Sequence, residues 1–401
     1  MRPYLIILIV AIMGCSGIDA VEPTERLTFI KFFSGMGNYE GKDFLLEDNL
    51  EYVCVGNSVI EDSVTAIMYK LDPMGNTVWS TTFEQTEAAS IVPLADGYIV
   101  AGDRIKSLTP TETLTLMYVI KTDLEGNIID SVSFGNEANE LDHSTSSAYL
   151  NASGELILLG AGENEDDSES AVLWSLNTDD LSTTSLKKYS LINRNYENGK
   201  SLLETNDSRM IWVGSAIVPA EDDFDSYITV PVIESGSEFV NNNLYGRTLP
   251  ENYRGEDIVK NFTGFSVVGT QTDDDDSNGN ILLLRLNSSG DIIANAETTY
   301  DITAGDKGLS VDATQDGGNI ILGRITSNTT IGNGGNDFYL IKTDFNGNEV
   351  WSKNLGGSGN ELDGVIKQHS DGGYVIFGTS QLQGVSSMVL IKTDQNGSLI
   401  N

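Results

Sequence analysis

Residues 340–351 read LIKTDFNGNEVW, and residues 390–401 read LIKTDQNGSLIN. The same course is followed by MYKLDPMGNTVW (68–79), VIKTDLEGNIID (119–130) and LLRLNSSGDIIA (283–294), and more loosely by LWSLNTDDLSTT (173–184) and VPVIESGSEFV (230–240). A second marker keeps the same count. Apolar runs such as YVCVG, LILLG and YVIFG close at Gly56, Gly102, Gly160, Gly214, Gly269, Gly323 and Gly378. Those glycines are 46, 58, 54, 55, 54 and 55 residues apart. Two different markers that each occur seven times define a repeat, and a repeat of this period restricts the chain to a stacked or circular array of one supersecondary unit.

The apolar runs are too short for helices and are rich in Val, Ile, Leu and Tyr, so they read as strands. They are nearly continuous rather than alternating, which requires both faces to be covered. Tight-turn signals precede most of them: Asp96-Gly97, Ser153-Gly154, Asp316-Gly317-Gly318 and Asp371-Gly372-Gly373. Glycine supplies the positive φ that hairpin turns need. The groups around Gly290 and Gly347 mark a second hairpin in each repeat. The unit is therefore four antiparallel strands, a to d. In the clearest copy, a falls near 364–369, b at 374–378, c at 338–343 and d at 349–354. Seven four-stranded units predict an all-β, seven-bladed β-propeller. The fourth blade is the weakest copy, with Pro231 in its c strand, where proline removes a ladder donor.

The final repeat has strands a, b and c but almost no d. The N-terminal stretch LTFIKFF (27–33) runs into SGMGNYEGKDF as EVWSKNLGGSGNELDGV (349–365) runs from d into a. Strand 27–33 is thus expected to complete the last blade and close the ring.

Ahead of it lies a leader with Arg2, an apolar run from Leu5 to Met13, and then Gly14-Cys15. Nine apolar residues are too few to span a bilayer as a helix and read as a secretory signal. Ile12-Met13-Gly14-Cys15 resembles a bacterial lipobox, with Met13 an unusual occupant. The resemblance implies cleavage before Cys15 and lipidation of its thiol, with two or more acyl chains giving stable anchoring. The expected organisation is a signal peptide at 1–14, a lipidated tether at 15–26 and the propeller at 27–401, placed at the outer membrane of a bacterial envelope, on its periplasmic side or at the cell surface. The other cysteine, Cys54, sits in a strand and reads as a buried small hydrophobe.

The formal net charge is −36, from 23 Lys and Arg against 59 Asp and Glu. Such acidity excludes nucleic acid and anionic lipid headgroups as partners. The acids concentrate in three successive b–c loops: Glu163, Glu165, Asp166, Asp167 and Glu169, then Glu221, Asp222, Asp223 and Asp225, then Asp273 to Asp276. The d–a loops add Glu137, Glu140, Asp142, Glu361 and Asp363. In a four-strand meander the b–c and d–a loops emerge at one end, so these acids define a candidate binding face opposite the tight turns.

Asp274, Asp276, Asn278 and Gly279 match the start of a calcium loop, with oxygen ligands at alternate positions. The twelfth position is Arg285 where an EF-hand has Glu, and the ninth is Leu282, so the match is partial. Calcium is the one cofactor with any signal. The two histidines, His143 and His369, occupy different repeat positions and form neither a zinc cluster nor a Ser-His-Asp set. The segment Glu140-Leu141-Asp142 mirrors Glu361-Leu362-Asp363 and reads as a repeat signature.

Trp79 and Trp351 hold the same place in strand d, after the turn glycine. In this the repeat resembles the quinoprotein-like (PQQ-type) propeller repeat, whose strand tryptophan docks between blades. It is more closely similar to the DGGY…G…LIKTDxNGNxxW repeats of secreted proteins and lipoproteins of Bacteroidota. The similarity covers 27–401, although two of the seven repeats carry the tryptophan and no quinone-binding residue maps onto this chain. It implies the propeller fold and a packing role for the tryptophans, and no single activity.

The function expected from the sequence is a monomeric, non-enzymatic binding or scaffold lipoprotein that holds an envelope protein or glycan on its acidic loop face. The alternatives are a polysaccharide-active hydrolase or lyase with paired carboxylates near the central channel, and a calcium-stabilised surface adhesin.

Overall fold

The computed structural model describes residues 28–61, 63–109, 113–135, 141–164, 169–189, 196–219, 224–233, 239–246, 251–273, 278–328 and 330–399. Every helix or strand among them is a strand. Cys15 and the rest of 1–26 lie outside the described residues.

The first strand, β1, is Phe29–Phe33. Blade 1 comprises β2 (Asn38–Leu46), β3 (Tyr52–Ile60), β4 (Ser63–Leu71) and β5 (Thr77–Glu84). Blade 2 comprises β6 (Thr86–Leu94), β7 (Gly97–Ser107), β8 (Thr113–Asp123) and β9 (Ile128–Phe134). Blade 3 comprises β10 (His143–Leu150), β11 (Glu155–Glu163), β12 (Glu169–Asn177) and β13 (Thr183–Tyr189). Blade 4 comprises β14 (Tyr196–Glu204), β15 (Met210–Pro219), β16 (Phe224–Ile233) and β17 (Phe239–Tyr245). Blade 5 comprises β18 (Asn252–Lys260), β19 (Gly264–Thr272), β20 (Gly279–Asn287) and β21 (Thr298–Tyr300). Blade 6 comprises β22 (Lys307–Ala313), β23 (Asn319–Thr326), β24 (Asn336–Thr343) and β25 (Glu349–Leu355). Blade 7 comprises β26 (Asn360–Gln368), β27 (Tyr374–Leu382) and β28 (Val385–Lys392), with β1 as its outermost strand.

Blades 1 to 6 are antiparallel meanders in chain order, and the seventh sheet has the order β1-β28-β27-β26. The register Phe29↔Lys392 through Phe33↔Met388 closes the ring as the sequence predicts. Strand β26 begins at Asn360, four residues before the expected start of strand a, so Glu361 and Asp363 are strand residues rather than loop residues.

The repeated motif has a mechanical explanation. Asp344 accepts hydrogen bonds from the amides of Asn346 and Asn348 at 2.8 and 2.9 Å and from the Asn348 carboxamide at 2.9 Å. Asp72 and Asp123 make the same set in blades 1 and 2. An aspartate followed four residues later by asparagine thus builds the c–d turn from its own side chains. The lysine two residues before that aspartate is buried and reaches across to the a–b turn: Lys342 Nζ lies 3.0 Å from Asp316, and Lys392 Nζ 2.9 Å from Asp371.

The continuous apolar strands are covered on both faces because each blade packs between two others. Seven hydrophobic clusters result, one per blade interface. The closing glycine marks the closest backbone approach: a Cβ on Gly41 of blade 1 would lie 2.6 Å from the carbonyl oxygen of Gly378 in blade 7.

Pro231 interrupts blade 4 without changing its register. The β15–β16 ladder runs through Met210↔Ile233 and Ile211↔Val232 and resumes at Gly214↔Thr229 in the same phase. The lost donor leaves a gap rather than a slip, because paired core residues hold the phase on both sides.

Candidate functional site

The antiparallel meander places b–c and d–a connections at one end and the tight a–b and c–d turns at the other. Blades 3, 4 and 5 are consecutive, so their b–c connections are neighbours at the loop end. Of the predicted acids there, Glu137, Glu140, Glu165, Asp166, Asp167, Glu221, Asp222, Asp223, Asp274, Asp275 and Asp276 lie outside the described residues, and Asp225 is described only as part of β16. Glu163 pairs directly across the hairpin with Glu169. Burial, and then the Glu163 charge, push the Glu169 carboxyl up. Glu163 also accepts from the Asp142 amide at 3.1 Å, and Asp142 accepts from the Thr115 amide at 2.7 Å, which ties the loop ends of blades 2 and 3 together. Asn278 donates both its amide, at 3.1 Å, and its carboxamide, at 2.7 Å, to Asp273, closing the b–c hairpin of blade 5.

The axis of the ring is a cavity of about 360 Å³ lined by all seven innermost strands. In six of those strands a β-bulge follows the residue opposite the closing glycine, at Gly41/Asp43, Ala88/Ser90, Thr145/Ser147, Gly199/Ser201, Gly255/Asp257 and Gly308/Ser310. A bulge re-aims side chains. Here these segments, with Lys367 of blade 7, bring Lys42, Lys200 and Lys367 together with Asp43, Glu256, Asp257 and Asp312 in one channel.

These carboxylates tie blades together. Asp43 Oδ2 accepts from Ser90 Oγ at 3.1 Å and from the Ile91 amide at 3.0 Å in the next blade, while Lys367 of the preceding blade lies 3.3 Å from its Oδ1. Asp257 Oδ2 accepts from Ser310 Oγ at 2.8 Å and the Val311 amide at 3.0 Å. Asp312 Oδ2 accepts from the Gln368 amide at 2.7 Å. The innermost strand is a sheet edge with one row of backbone N–H groups outside the ladder, and these carboxylates supply acceptors to it. Burial pushes the Asp312 carboxyl up to about 6 and raises Asp257 and Glu256 as well.

A second row of interblade bonds lies further out, at the residue after each closing glycine. Asn57 exchanges two hydrogen bonds with the backbone of Ala88, at 3.1 and 2.8 Å. Asp103 accepts from the Thr145 amide at 2.7 Å, Ser215 from Gly255, Thr270 from Gly308 and Thr379 from Gly41, and Arg324 donates to the Leu362 carbonyl at 2.8 Å. The sequence reading missed this row. Its signal was available: a polar residue directly after the marker glycine in six of seven repeats, the exception being Ala161.

A third feature lies at the loop end between blades 6 and 7. A cleft of about 410 Å³ is lined by Ile30, Phe32, Leu355, Leu382, Val389, Ile391 and Leu399, by the glycine-rich segment 356–359, and by Asn354, Glu361 and Ser380. Glu361 is only 7% exposed. Burial, and then the neighbouring Asp337 charge, push its carboxyl up to about 7, despite the hydrogen bond from Ser380 Oγ at 3.1 Å.

The histidines are separate and buried. His143 Nδ1 lies 3.0 Å from the Leu141 carbonyl, His369 Nδ1 lies 3.0 Å from Asp371, and burial lowers both pKa values. Cys54 is fully buried in the blade 7–blade 1 cluster, where burial pushes its thiol far up. Among the described residues, no group of three or more His, Cys, Asp or Glu side chains has metal-holding geometry.

No protein-family model matches the sequence, and no curated protein matches it. Solved structures share the fold. The quinohemoprotein alcohol dehydrogenase ADHIIG of Pseudomonas putida HK5 superposes with a TM-score of 0.53 at 9% identity, over 94% of this chain and 77% of that one. The β-propeller domain of the Trilobed protease from Pyrococcus furiosus, described as having an open velcro topology, gives 0.51 at 9% identity over 91% of this chain and 98% of the other. A protein of unknown function from Dyadobacter fermentans DSM 18053 gives 0.50 at 8% identity over 90% and 97%. At these identities the likeness is one of fold, and the class that fold and site define is a seven-bladed β-propeller.

Proposed function

We propose that the protein is a non-enzymatic binding or scaffold lipoprotein, held at a bacterial outer membrane through Cys15, that presents the acidic b–c loops of blades 3 to 5 to an envelope protein or glycan. One observation carries the choice of a binding role over a glycan-cleaving one. Asp43, Asp257 and Asp312, three of the four carboxylates that line the channel, accept hydrogen bonds from amides of adjoining blades, and Asp43 and Asp257 from hydroxyls as well. A carboxylate used this way is a structural acceptor, and freeing it for nucleophilic or acid–base work would break the bonds that hold neighbouring blades. The protein's exposed acids are then left for recognition.

The test is affinity capture with lipidated bait crosslinked in cells, beside a variant with the acids at 163–169, 221–225 and 273–276 neutralised. A defined partner held by the first bait and lost by the second, and whose purified form binds the ring more weakly as salt rises, is the expected result. Equal capture by both baits, or turnover of a polysaccharide by the purified ring, overturns the reading. Cys15→Ser is expected to move the protein from the membrane fraction to the soluble one.

A further inference from the structure

The axial cavity is lined by three lysines and four carboxylates, and most of them already have partners. Asp43, Asp257 and Asp312 accept hydrogen bonds from adjoining blades. Lys42 Nζ lies 3.1 Å from Glu40 and 3.6 Å from Glu87, and Lys367 donates to Asp43 and to the Phe44 carbonyl. Two charged groups remain. Lys200 of β14 is exposed, lines the cavity, and has no side-chain hydrogen bond or ion pair among the described residues. Glu256 of β18 is half-buried, lines the same cavity and likewise lacks a hydrogen-bond partner among the described residues. Its oxygens are not among the sealed, unpartnered oxygens of the molecule, so they open on the cavity.

Both residues stand at the β-bulges of neighbouring blades. Lys200 is the extra residue between Gly199 and Ser201, and Glu256 the one between Gly255 and Asp257. Equivalent places in blades 4 and 5 thus carry opposite charges side by side around the axis. Lys200 is the charge that acts most strongly on Glu256, and it acts without a hydrogen bond; Asp363, Lys307 and Arg254 act more weakly. In blade 3 the same bulge supplies Ser146, followed by Ser147. Both serines are half-buried and line the cavity, and neither hydroxyl has a hydrogen-bond partner among the described residues. A cation and an anion that share a cavity without touching, beside two unused hydroxyls, leave room for a ligand that pairs with both.

We propose that the axial cavity binds a small amino-acid zwitterion, with its carboxylate on Lys200 and its ammonium on Glu256. The hydroxyls of Ser146 and Ser147, in the blade beside Lys200, supply donors to the same carboxylate. The ligand is net neutral, which matters in a chain of formal charge −36 whose field repels a simple anion. The volume of about 360 Å³ suits a small molecule. Other occupants fit less well. A dianion needs a second free lysine, and Lys42 and Lys367 are paired. A diamine needs a second free carboxylate, and the three aspartates serve the amides of adjoining blades. A hard divalent cation takes six or more oxygens, and no metal-holding group of acids occurs among the described residues. The site is separate from the acidic loop face, so its test is independent of that reading.

The test uses the mature full chain and titration calorimetry at pH 7 with the common α-amino acids, β-alanine and γ-aminobutyrate. Each is run beside the acid and the amine that lack one of its charged ends. The expected result is that at least one zwitterion binds at least about tenfold more tightly than either of its half-molecules. Lys200→Met and Glu256→Gln keep side-chain shape while removing one charge. The first should abolish the preference for the zwitterion over the amine, and the second its preference over the acid. Lys200→Glu combined with Glu256→Lys should recover binding that either reversal alone abolishes, because a zwitterion can turn end for end. Melting temperatures measured on each variant separate a lost site from a lost fold. Binding of the acid or the amine as tight as that of the zwitterion, binding by none of the amino acids, or a preference that survives both neutral substitutions would overturn the proposal.

Discussion

The indole of Trp351 in blade 6 lies over Gly397 in the c–d turn of blade 7, so close that a Cβ there would be 2.7 Å from the ring. Trp79 stands in the same relation to Gly126 of blade 2, and Phe29 of the closing strand to Gly75 of blade 1. Each turn glycine also has a positive φ: +70° at Gly397, +81° at Gly126 and +74° at Gly75. The glycine is therefore required twice, by the backbone and by the aromatic ring of the preceding blade. Gly397→Ala is expected to destabilise by about 1–3 kcal/mol, from overpacking and left-handed strain together. Trp351→Ala should cost somewhat less than the roughly 3–5 kcal/mol of a fully buried tryptophan. The double variant should cost less than the sum of the two, since the alanine methyl at 397 points into the space the indole vacates. Denaturant unfolding of the three variants checks this.

The closing strand makes the second prediction. Strand β1 pairs with β28 over five residues and covers the outer edge of blade 7. Its removal through Phe33 exposes a strand edge and deletes hydrogen bonds of about 1 kcal/mol net each. The truncated ring should aggregate or melt far below the full chain. Size-exclusion chromatography and calorimetry decide it, and a monomeric truncation of unchanged melting temperature would refute ring closure by β1.

The fold was legible because its determinants are local and repeated. A glycine at each closest backbone approach, an aspartate-asparagine turn and continuous apolar strands leave a mark in every repeat, and Gly378 or Asp344 can be read without knowing any contact. The role of Glu361 was not legible. The sequence places it among exposed d–a loop acids, yet it lies at the cleft floor. In blade 7 the bulge falls between Glu361 and Asp363, two residues before its place in the other blades. A displaced bulge reverses side-chain parity locally, and no pattern of apolar alternation records it. The channel acids were likewise seen only as charge, because their acceptor role depends on amides in the next blade.

A third prediction concerns the buried lysine of blade 7. Lys392 is 2% exposed, with Nζ 2.9 Å from Asp371 and 3.0 Å from the Thr393 carbonyl. Removing the acid takes the carboxylate partner from a buried ammonium, whereas replacing the lysine by a similarly shaped apolar side chain removes the charge itself. Asp371→Ala is expected to cost about 3–5 kcal/mol, and Lys392→Met markedly less. Although burial pushes the Asp371 carboxyl up, Lys392 and the Gly373 amide hold it below its ordinary value. Its contribution is therefore present above the unfolded pKa and is lost as pH falls through the folded one, and Asp371→Ala should flatten the acid limb of the stability profile.

The opposite sign applies to Asp103, whose carboxyl is pushed up to about 7 by burial, against the hydrogen bonds from Thr145. A carboxyl whose folded pKa lies above its unfolded value binds more protons in the native state, so it makes stability fall as pH rises from about 4 to about 7. Blade 1 has already made the neutral substitution at the equivalent place: Asn57 follows its closing glycine, and Asn57 Oδ1 accepts from the Ala88 amide at 2.8 Å. Asp103→Asn should keep the bond from the Thr145 amide, now 2.7 Å from Asp103 Oδ1, while removing the buried charge. The variant is expected to be more stable than the unaltered protein at pH 8 by about 2 kcal/mol, to lose that advantage near pH 4, and to show a shallower decline between. Urea unfolding at both pH values reads this directly. A variant less stable than the parent at pH 8 would mean that Asp103 is held ionised by its neighbours.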